Sequence, residues 1–454
     1  MVTLNDKSNN KIIYNTMLTI ALPVIIQHLI SIGLNLVDTV MIGRLGEPEL
    51  AAVGIANRFF MIFGLFCFGF YSGCSVFISQ YWGIKDIKNI RKVFGIEIIS
   101  GFSVAILFST LALVFPHVIM RIFIKDPVVI DYGIQYLRII GLAYIFIAIS
   151  FALSYNSRSI HRVKMTVVIN TIAISINTFL NYVLIYGKFG FPQLGVRGAA
   201  IATVIARFLE FVLLLYFIYK DRNHPLAGSF RELFDWDRPF LMKVYKTAFP
   251  VFVNEASWVL GTSIYYIAYG MVGTDAVATV QVSMTISDFF QSFFFGIGSA
   301  CGVMIGNELG RDNKDLAYSY GISFIKLTAI ASIVTGLLLY SLKNPIINFY
   351  DFKESTNYML EMSLIVFSLF MLPKMLTYMI IVGVLRSGGD TRYCMLLDLF
   401  FIWLVGIPLA FISVLVMDWP IHLVLAAVFS EEIIKVFVVS KRINSRKWLN
   451  NLVS

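Results

Sequence analysis

The sequence predicts an all-α membrane protein with twelve transmembrane helices, arranged as two six-helix lobes in parallel repeat around a central cavity. Three observations predict this fold class: the apolar composition, the number of long apolar stretches, and an internal repeat. Hydrophobic residues make up 58% of the 454 positions and charged residues 14%, whereas a soluble domain is about 25% charged. Most of the chain is therefore expected to lie in lipid rather than in water.

The apolar stretches have the length of membrane-spanning helices. A helix needs about 20 apolar residues to cross the hydrocarbon core, and segments 98–119, 199–219 and 396–417 satisfy this requirement. Membrane strands would alternate apolar and polar residues over about 10 positions, and the sequence shows no such alternation. Division at polar and Gly/Pro clusters gives twelve spans, at about 12–42, 50–82, 92–118, 128–156, 165–187, 196–220, 240–270, 276–308, 316–342, 356–385, 392–416 and 420–440.

The positions of the basic residues predict the orientation. Of the 36 Lys and Arg, 23 lie in the two terminal segments and in every second loop, seven lie in the other loops, and six lie within spans. Loops rich in Lys and Arg stay in the cytoplasm. We therefore expect a multi-pass protein of the cell membrane with both termini cytoplasmic, whose net charge of +9 faces anionic lipid and not a nucleic acid.

An internal repeat divides the chain into halves. Six spans followed by six spans in the same order give parallel repeats, a common plan of transporters. We predict an N-terminal lobe at 1–220, a cytoplasmic linker at 221–238, which is polar, and a C-terminal lobe at 239–454. A constant offset of 227 in numbering matches Pro23/Pro250, Gly46/Gly273, Cys74/Cys301 and Gly83/Gly310, and an offset of 228 matches Arg158/Arg386.

Short motifs follow one another along nearly the whole chain. They are Ala21-Leu22-Pro23, Val37-Asp38-Thr39, Asn177-x3-Asn181-Tyr182, Leu194-Gly195-x2-Gly198-Ala199-Ala200, Pro250-x3-Asn254-Glu255, Gly383-x-Leu385-Arg386-x-Gly388 and Trp403-x2-Gly406-x-Pro408. Each motif is weak alone, but together and in this order they resemble the multidrug and toxic-compound extrusion (MATE) transporters of the MOP flippase superfamily.

The resemblance implies a secondary active antiporter and not an enzyme. Such a protein would export organic drugs or metabolites, commonly cationic, by alternating access, driven by inward Na⁺ or H⁺. Its partners would be small organic substrates and membrane lipids, and the coupling ion would take the place of a cofactor. We expect a monomer.

Asp38 is the strongest candidate for ion coupling, because a carboxylate inside a span is costly and marks function. Asn177 and Asn181 share one helix face, and Ala199 and Thr203 offer a carbonyl and a hydroxyl group. Such hard oxygens suit Na⁺, with Asp38, Asn177, Asn181 and Thr203 as ligands. A desolvated carboxylate that carries H⁺ is an equal alternative, and a structural polar network is a third. The resemblance implies that these five positions form the cation site of the N-terminal lobe.

Further charged and polar residues are candidates for the substrate cavity. Glu255 follows a proline in the seventh span, and its repeat partner is His28, whose side chain titrates near neutral pH. Asp288 lies among phenylalanines with Gln291 one turn on, which would suit an organic cation, although these rings could equally face lipid.

Lys374 departs from the family pattern, since one branch of the family has an aspartate in the middle of the tenth span. It lies about 18 Å inside the span, so we expect a buried partner among Glu255, Asp398, Glu431 and Glu432. Lys374 is a fifth candidate for the cavity and leaves zwitterionic or anionic substrates open. We also predict ion pairs of Lys435 with Glu431 and Glu432, and of Arg207 with Glu210.

Two other function classes are weaker alternatives. A flippase of lipid-linked or amphipathic substrates in the same superfamily would have a strongly cationic cavity and often two more helices. A membrane enzyme or an ATP-driven pump would need a phosphate-binding loop or a metalloprotease motif, and the sequence has neither. The four cysteines lie in or beside apolar stretches without metal-ligand spacing, so we expect packing roles and no zinc site.

Overall fold

A computed structural model describes residues 7–350 and 352–454, with side chains from residue 16 onward. The described residues are mostly helical and contain no strand. Its helices are α1 Lys7–Gly43, α2 Glu47–Gly83, α3 Ile87–Val114, α4 Pro116–Phe123, α5 Pro127–Ile140, α6 Ala143–Ser159, α7 Val163–Tyr186, α8 Gly195–Lys220, α9 Phe230–Leu233, α10 Arg238–Val272, α11 Thr274–Gly310, α12 Lys314–Ser341, α13 Lys343–Tyr350, α14 Glu354–Tyr378, α15 Thr391–Phe400, α16 Ile407–Leu415 and α17 Ile421–Asn444.

The predicted spans are helical, which confirms the all-α membrane fold. Within the described residues, nine helices are long and apolar enough to cross a membrane, and the bent pair α5 and α6 makes a tenth. α10 and α17 occupy the remaining two predicted spans. Two of the nine contain a π-helical stretch, Met379–Leu385 after α14 and Phe401–Gly406 between α15 and α16.

One span that was predicted as a continuous helix is broken in the structure. The span at 128–156 breaks between α5 and α6, which are bent by 55°. The break lies at Gly141, whose carbonyl accepts a hydrogen bond of 2.8 Å from the Ser109 hydroxyl. This side-chain donor satisfies a backbone group at the break, which makes the interruption tolerable inside a membrane.

The repeat is also visible in the backbone. The helix pairs α2/α11, α3/α12 and α4/α13 begin and end at residue numbers that differ by 227. The left-handed residues repeat as well: φ is 61° at Lys85 and 60° at Asp312. At an offset of 228, φ is 62° at His161 and 78° at Gly389. The two halves therefore share turns as well as helices.

The chain forms two compact units. The N-terminal unit is Ile26–Ala248, and the C-terminal unit is Phe249–Ser454 together with the chain up to Ile25. The predicted lobe boundaries at 220 and 239 stay a prediction.

The segment after α8 belongs to the N-terminal unit and is held by ion pairs. Arg162 Nη1 lies 2.5 Å from Asp221 Oδ2, and this hydrogen bond lowers the pKa of Asp221 below its usual range. Arg91 Nη1, on α3, lies 2.6 Å from Glu232 Oε1. Glu232 and Ser229 form a capping box at the start of α9, so the linker is folded onto α3.

Candidate cation-coupling site

The Asp38 carboxylate lies near the end of α1 and meets α7. Its Oδ1 accepts a hydrogen bond of 3.3 Å from the Thr178 hydroxyl. With the Asn177 amide oriented to satisfy its neighbours, its nitrogen donates to Asp38 Oδ2 at 3.0 Å. Asn181, one turn further along α7, also hydrogen-bonds the carboxylate. Three side chains of one helix thus converge on Asp38.

α8 closes the other side of this cluster. The Asn177 oxygen accepts hydrogen bonds from the backbone N–H and the hydroxyl of Thr203, both at 3.2 Å. The Thr203 hydroxyl also lies 3.0 Å from the Ala199 carbonyl oxygen, to which it can donate. Tyr136, on α5, hydrogen-bonds Thr203. The structure therefore brings together all five predicted residues of the coupling site.

The donor set of this cluster fits a small hard cation. One carboxylate is surrounded by amide, hydroxyl and carbonyl oxygens, the ligand types that alkali cations prefer. Asn181 Oδ1 is buried and has no hydrogen-bond partner in the described part of the chain, so an acceptor atom is available for a cation. No group of three His, Cys, Asp or Glu that could hold a metal ion occurs in the described residues.

A polar cavity of about 220 Å³ lies inside the N-terminal unit, on the side of the cluster toward the start of α1. Two ion-pair partners line it, Arg207 and Glu210, whose Nη1 and Oε2 lie 2.8 Å apart as predicted. The hydroxyls of Ser150 and Ser154, which also line it, are buried without a hydrogen-bond partner among the described residues. This cavity therefore offers polar groups to water or to a small polar molecule.

His28 lines the same cavity together with Gln27 and Arg158. Arg158 Nη2 lies 3.4 Å from Gln27 Oε1 and interacts electrostatically with His28. The predicted cavity residue His28 is thus part of a basic cluster in the N-terminal unit.

Its repeat partner Glu255 lies in an ion pair. Arg386 Nη2 lies 2.7 Å from Glu255 Oε1 and 3.0 Å from the side-chain oxygen of Asn254. Asn254 also donates to Asp398 at 2.7 Å. Arg386 is 2% exposed, so this pair lies inside the C-terminal unit, where one charge neutralises the other.

Lys435 is the centre of a second buried cluster in the C-terminal unit. Its ammonium nitrogen lies 3.4 Å from Asp398, 3.8 Å from Glu431 and 3.4 Å from Glu432. These distances confirm the predicted pairs with Glu431 and Glu432. The Tyr265 hydroxyl, at the repeat position of Asp38, lies 3.5 Å from Glu431 Oε2.

The remaining predicted residues meet in the C-terminal unit. Lys374 interacts electrostatically with Asp288 and, more weakly, with Glu432. Glu432 was among the four candidate partners, whereas Asp288 was not. The Gln291 amide donates to the Ser287 hydroxyl at 2.7 Å and approaches Asp288 at 3.4 Å. Asp288 therefore faces an internal cation, which the run of aromatic residues around it in the sequence did not reveal.

Sequence reasoning also missed Thr178 and Tyr136 at the coupling site. Thr178 directly follows Asn177, so its position in the sequence was a usable signal. Tyr136 reaches the cluster only because α5 packs beside α8, and no pattern in the sequence indicates this.

Comparison with known proteins decides the family. The sequence profile named MatE matches residues 23–183 and 250–412, one match in each half of the repeat. The chain belongs to the MatE family.

Individual relatives agree with membership of the MatE family. The chain is 24% identical over 431 residues to the uncharacterized transporter YisQ of Bacillus subtilis, covering 94% of this chain and 93% of that protein. It is 25% identical over 412 residues to the probable multidrug resistance protein NorM of Pasteurella multocida, covering 89% and 87%. A MOP superfamily transporter from Pyrococcus furiosus has the same fold, with a TM-score of 0.85, 17% identity and coverage of 95% and 96%. This MatE protein is therefore a multi-pass membrane transporter.

Proposed function

We propose that this MatE protein is a secondary active antiporter that exports organic drugs or metabolites, mainly cationic, and that inward Na⁺ or H⁺ drives it by alternating access. The observation that carries the proposal is the cluster at Asp38, where one carboxylate is surrounded by neutral oxygens. Export is supported by the names of relatives such as NorM, a probable multidrug resistance protein.

The contacts of Asp38 support a role in ion exchange. No Lys or Arg lies within the 4.0 Å ion-pairing distance of its carboxylate in the described residues. Arg207, which interacts with Asp38 electrostatically, is paired with Glu210 instead. A carboxylate without a permanent partner can bind and release a cation as the surroundings change, whereas a carboxylate in a tight ion pair cannot do so without leaving a charge unpaired.

The driving energy is adequate for this function. One charge that moves through 100 mV releases about 2.3 kcal/mol before any concentration gradient is added. That corresponds to nearly a fiftyfold accumulation of substrate, since about 1.4 kcal/mol is a factor of ten.

The proposal also covers the membrane orientation, the oligomeric state and the partners of the protein. Both termini would lie in the cytoplasm of a cell that carries the protein in its plasma membrane, and a single chain would act as a monomer. Its partners would be small organic substrates and lipids, with no nucleic acid, and Na⁺ or H⁺ would be the only ion required. The flippase alternative is not favoured, because relatives such as NorM are named as probable multidrug resistance proteins.

The test imposes the two ion gradients separately. Purified protein in proteoliposomes would be given an inward Na⁺ gradient at equal pH, or an inward H⁺ gradient without Na⁺, while the efflux of one fluorescent organic cation is followed. We expect one gradient to drive efflux and the other to leave it near the passive rate. A response to neither gradient, with substrate binding intact, would contradict the antiporter proposal.

A further inference from the structure

The short helix α4 lies at the end of a membrane span. α3 ends at Val114, and α4 follows with eight residues, Pro116–Phe123. Eight residues extend for about 12 Å, which is too short to cross a membrane. One side of α4 buries Ile119 and Met120, while the other exposes Ile122, whose side chain is 73% accessible. A short helix with one buried and one exposed apolar side is typical of the membrane interface.

α4 and α5 enclose a cleft whose lining is basic. Its volume is about 560 Å³, and the charged or titratable side chains in it are His117, Arg121 and Lys125 from the α4 segment and Asp131 from α5. Among the described residues, no ion pair within 4.0 Å includes Arg121 or Lys125. The two permanent cations therefore outnumber the single carboxylate.

The nearby carboxylates are engaged elsewhere. Asp131 Oδ2 accepts a hydrogen bond of 2.6 Å from the Gln135 amide. Asp126 caps α5, since its Oδ1 accepts a hydrogen bond of 2.8 Å from the backbone N–H of Val128. Neither acid forms an ion pair with Arg121 or Lys125 among the described residues, so both cations are free of a direct carboxylate partner and can contact an external anion.

The repeat shows that the fold does not require this charge. The helix α13, which matches α4 at an offset of 227 in numbering, belongs to a segment that holds Asn344, Asn348 and Phe352 where the N-terminal unit holds His117, Arg121 and Lys125. Lys343, at the start of α13, forms an ion pair with Glu361. The three basic or titratable side chains that line the cleft therefore have no basic counterpart at the equivalent C-terminal positions.

Arg121 and Lys125 are also placed on the side of the membrane where basic residues are less common. By the proposed orientation, Arg121 and Lys125 belong to the seven basic residues on the side opposite the cytoplasm. Bases on that side do not help to fix the orientation. A ligand there gives them a separate role.

We infer that the cleft between α4 and α5 binds the phosphate head group of an anionic phospholipid in the leaflet opposite the cytoplasm. Arg121 and Lys125 would contact the phosphate, and His117 would line the head-group space. The exposed apolar side of α4 at Val118 and Ile122 would lie along the acyl chains. A phospholipid fits better than a soluble anion, because the charged cleft is continuous with this apolar surface and because anionic head groups attract clustered bases.

The experiment measures lipid retention by the full-length protein. Wild type and variants would be reconstituted in phosphatidylcholine nanodiscs that contain a small fraction of phosphatidylglycerol, and the bound lipids would be counted by native mass spectrometry after mild release. We expect wild type to be enriched in phosphatidylglycerol over phosphatidylcholine. The double variant R121A/K125A should lose this enrichment by about thirtyfold, from the loss of two lipid-attracting bases.

A matched control separates the cleft from charge in general. Arg44 and Lys188 lie on the same predicted side, are exposed, and do not line the cleft, so R44A/K188A changes the net charge equally and should retain the lipid. The inference would be overturned if both double variants retained phosphatidylglycerol equally or lost it equally. It would also be overturned if millimolar glycerol 3-phosphate displaced the bound lipid as effectively as added phosphatidylglycerol does. If R121A/K125A does not purify, the milder variant R121Q is tested in the same way, with an expected loss of about fivefold.

Discussion

The first helix of each repeat carries a different residue at one equivalent position, Asp38 in the N-terminal unit and Tyr265 in the C-terminal unit. Thr203, beside Asp38, has Glu431 as its repeat partner. In the C-terminal unit the carboxylate therefore belongs to Glu431 on the last helix, and the Lys435 ammonium lies 3.8 Å from it. In the N-terminal unit no fixed cation lies within ion-pairing distance of Asp38 among the described residues.

The difference suggests how one scaffold serves two purposes. In the C-terminal unit one permanent ammonium group lies within ion-pairing distance of three carboxylates, on α15 and α17, so that cluster holds the two helices together. In the proposed function the exchangeable cation would bind in the N-terminal unit, where the Asp38 carboxylate is surrounded by neutral oxygens. The same reasoning applies to Glu255, which Arg386 already neutralises at 2.7 Å.

The variant Lys435→Met tests whether the cluster in the C-terminal unit is structural. Asp398, Glu431 and Glu432 would lose their shared cation, and removal of one partner from a buried ion pair costs about 3–5 kcal/mol. We expect a large loss of thermal stability and of membrane yield. The control Lys441→Met, at an exposed position of the same helix, should leave the thermal midpoint unchanged. A Lys435→Met protein as stable as wild type would show that the ammonium group is not a structural counter-ion.

The pH dependence of stability must be separated from any proton binding at Asp38. His224, in the linker, is buried, and burial lowers the pKa of His224 to about 4. Because the native pKa lies below that of the unfolded chain, its stabilising effect is complete above about pH 6.5 and is lost as the pH falls toward 4.

We expect His224→Asn to remove about 2 kcal/mol of the stability difference between pH 7 and pH 5. The measurement is the thermal midpoint at both pH values, with His117→Asn, an exposed histidine, as the control. If the pH dependence of the thermal midpoint is unchanged in His224→Asn, the linker histidine is not its source, and the buried carboxylates become the candidates.

The variant Asn177→Ala tests whether the hydrogen bonds around Asp38 are needed for coupling. It removes an amide that donates to Asp38 and accepts from Thr203, and a hydrogen bond to a charged group contributes about 1.5–3 kcal/mol. We expect gradient-driven transport to fall by about tenfold or more, with substrate binding retained. The repeat-equivalent variant Val405→Ala should change transport by less than about twofold, and similar losses in both variants would contradict a special role of the N-terminal unit.

The smallest effect is expected for Tyr265→Phe. It removes a hydroxyl that lies 3.5 Å from Glu431, a long hydrogen bond that contributes at most about 1 kcal/mol. The thermal midpoint should fall slightly, and the ion dependence of transport should not change. A change of coupling ion or stoichiometry in Tyr265→Phe would mean that the C-terminal cluster takes part in coupling.

The sequence predicted the scaffold well, because its signals are local. Lipid exposure makes spans apolar along their length, and the repeat keeps Gly46/Gly273 at equivalent turns, so the fold class and the approximate spans could be predicted. The break at Gly141 could not, because it depends on a hydroxyl from Ser109 on a neighbouring helix.

The candidate site was predictable where spacing on one helix indicated it. Asn177 and Asn181 lie one turn apart, and the structure places both beside Asp38. Of the two acids that interact with Lys374, Glu432 was among the predicted candidates and Asp288 was not, because the choice among buried acids depends on how α11 and α14 pack and not on spacing. Tyr136 was missed for the same reason.

The most direct test of the central claim is gradient-driven efflux by Asp38→Asn in proteoliposomes, measured beside Glu431→Gln under the driving ion of the wild type. The account predicts that Asp38→Asn loses gradient-driven efflux by at least about hundredfold, because the amide keeps the shape of the carboxylate but not its charge. It predicts that Glu431→Gln, which leaves Lys435 with two carboxylates, keeps most of its response to the gradient. Wild-type coupling in Asp38→Asn, with protein yield and substrate binding unchanged, would contradict the claim that the N-terminal unit holds the coupling site.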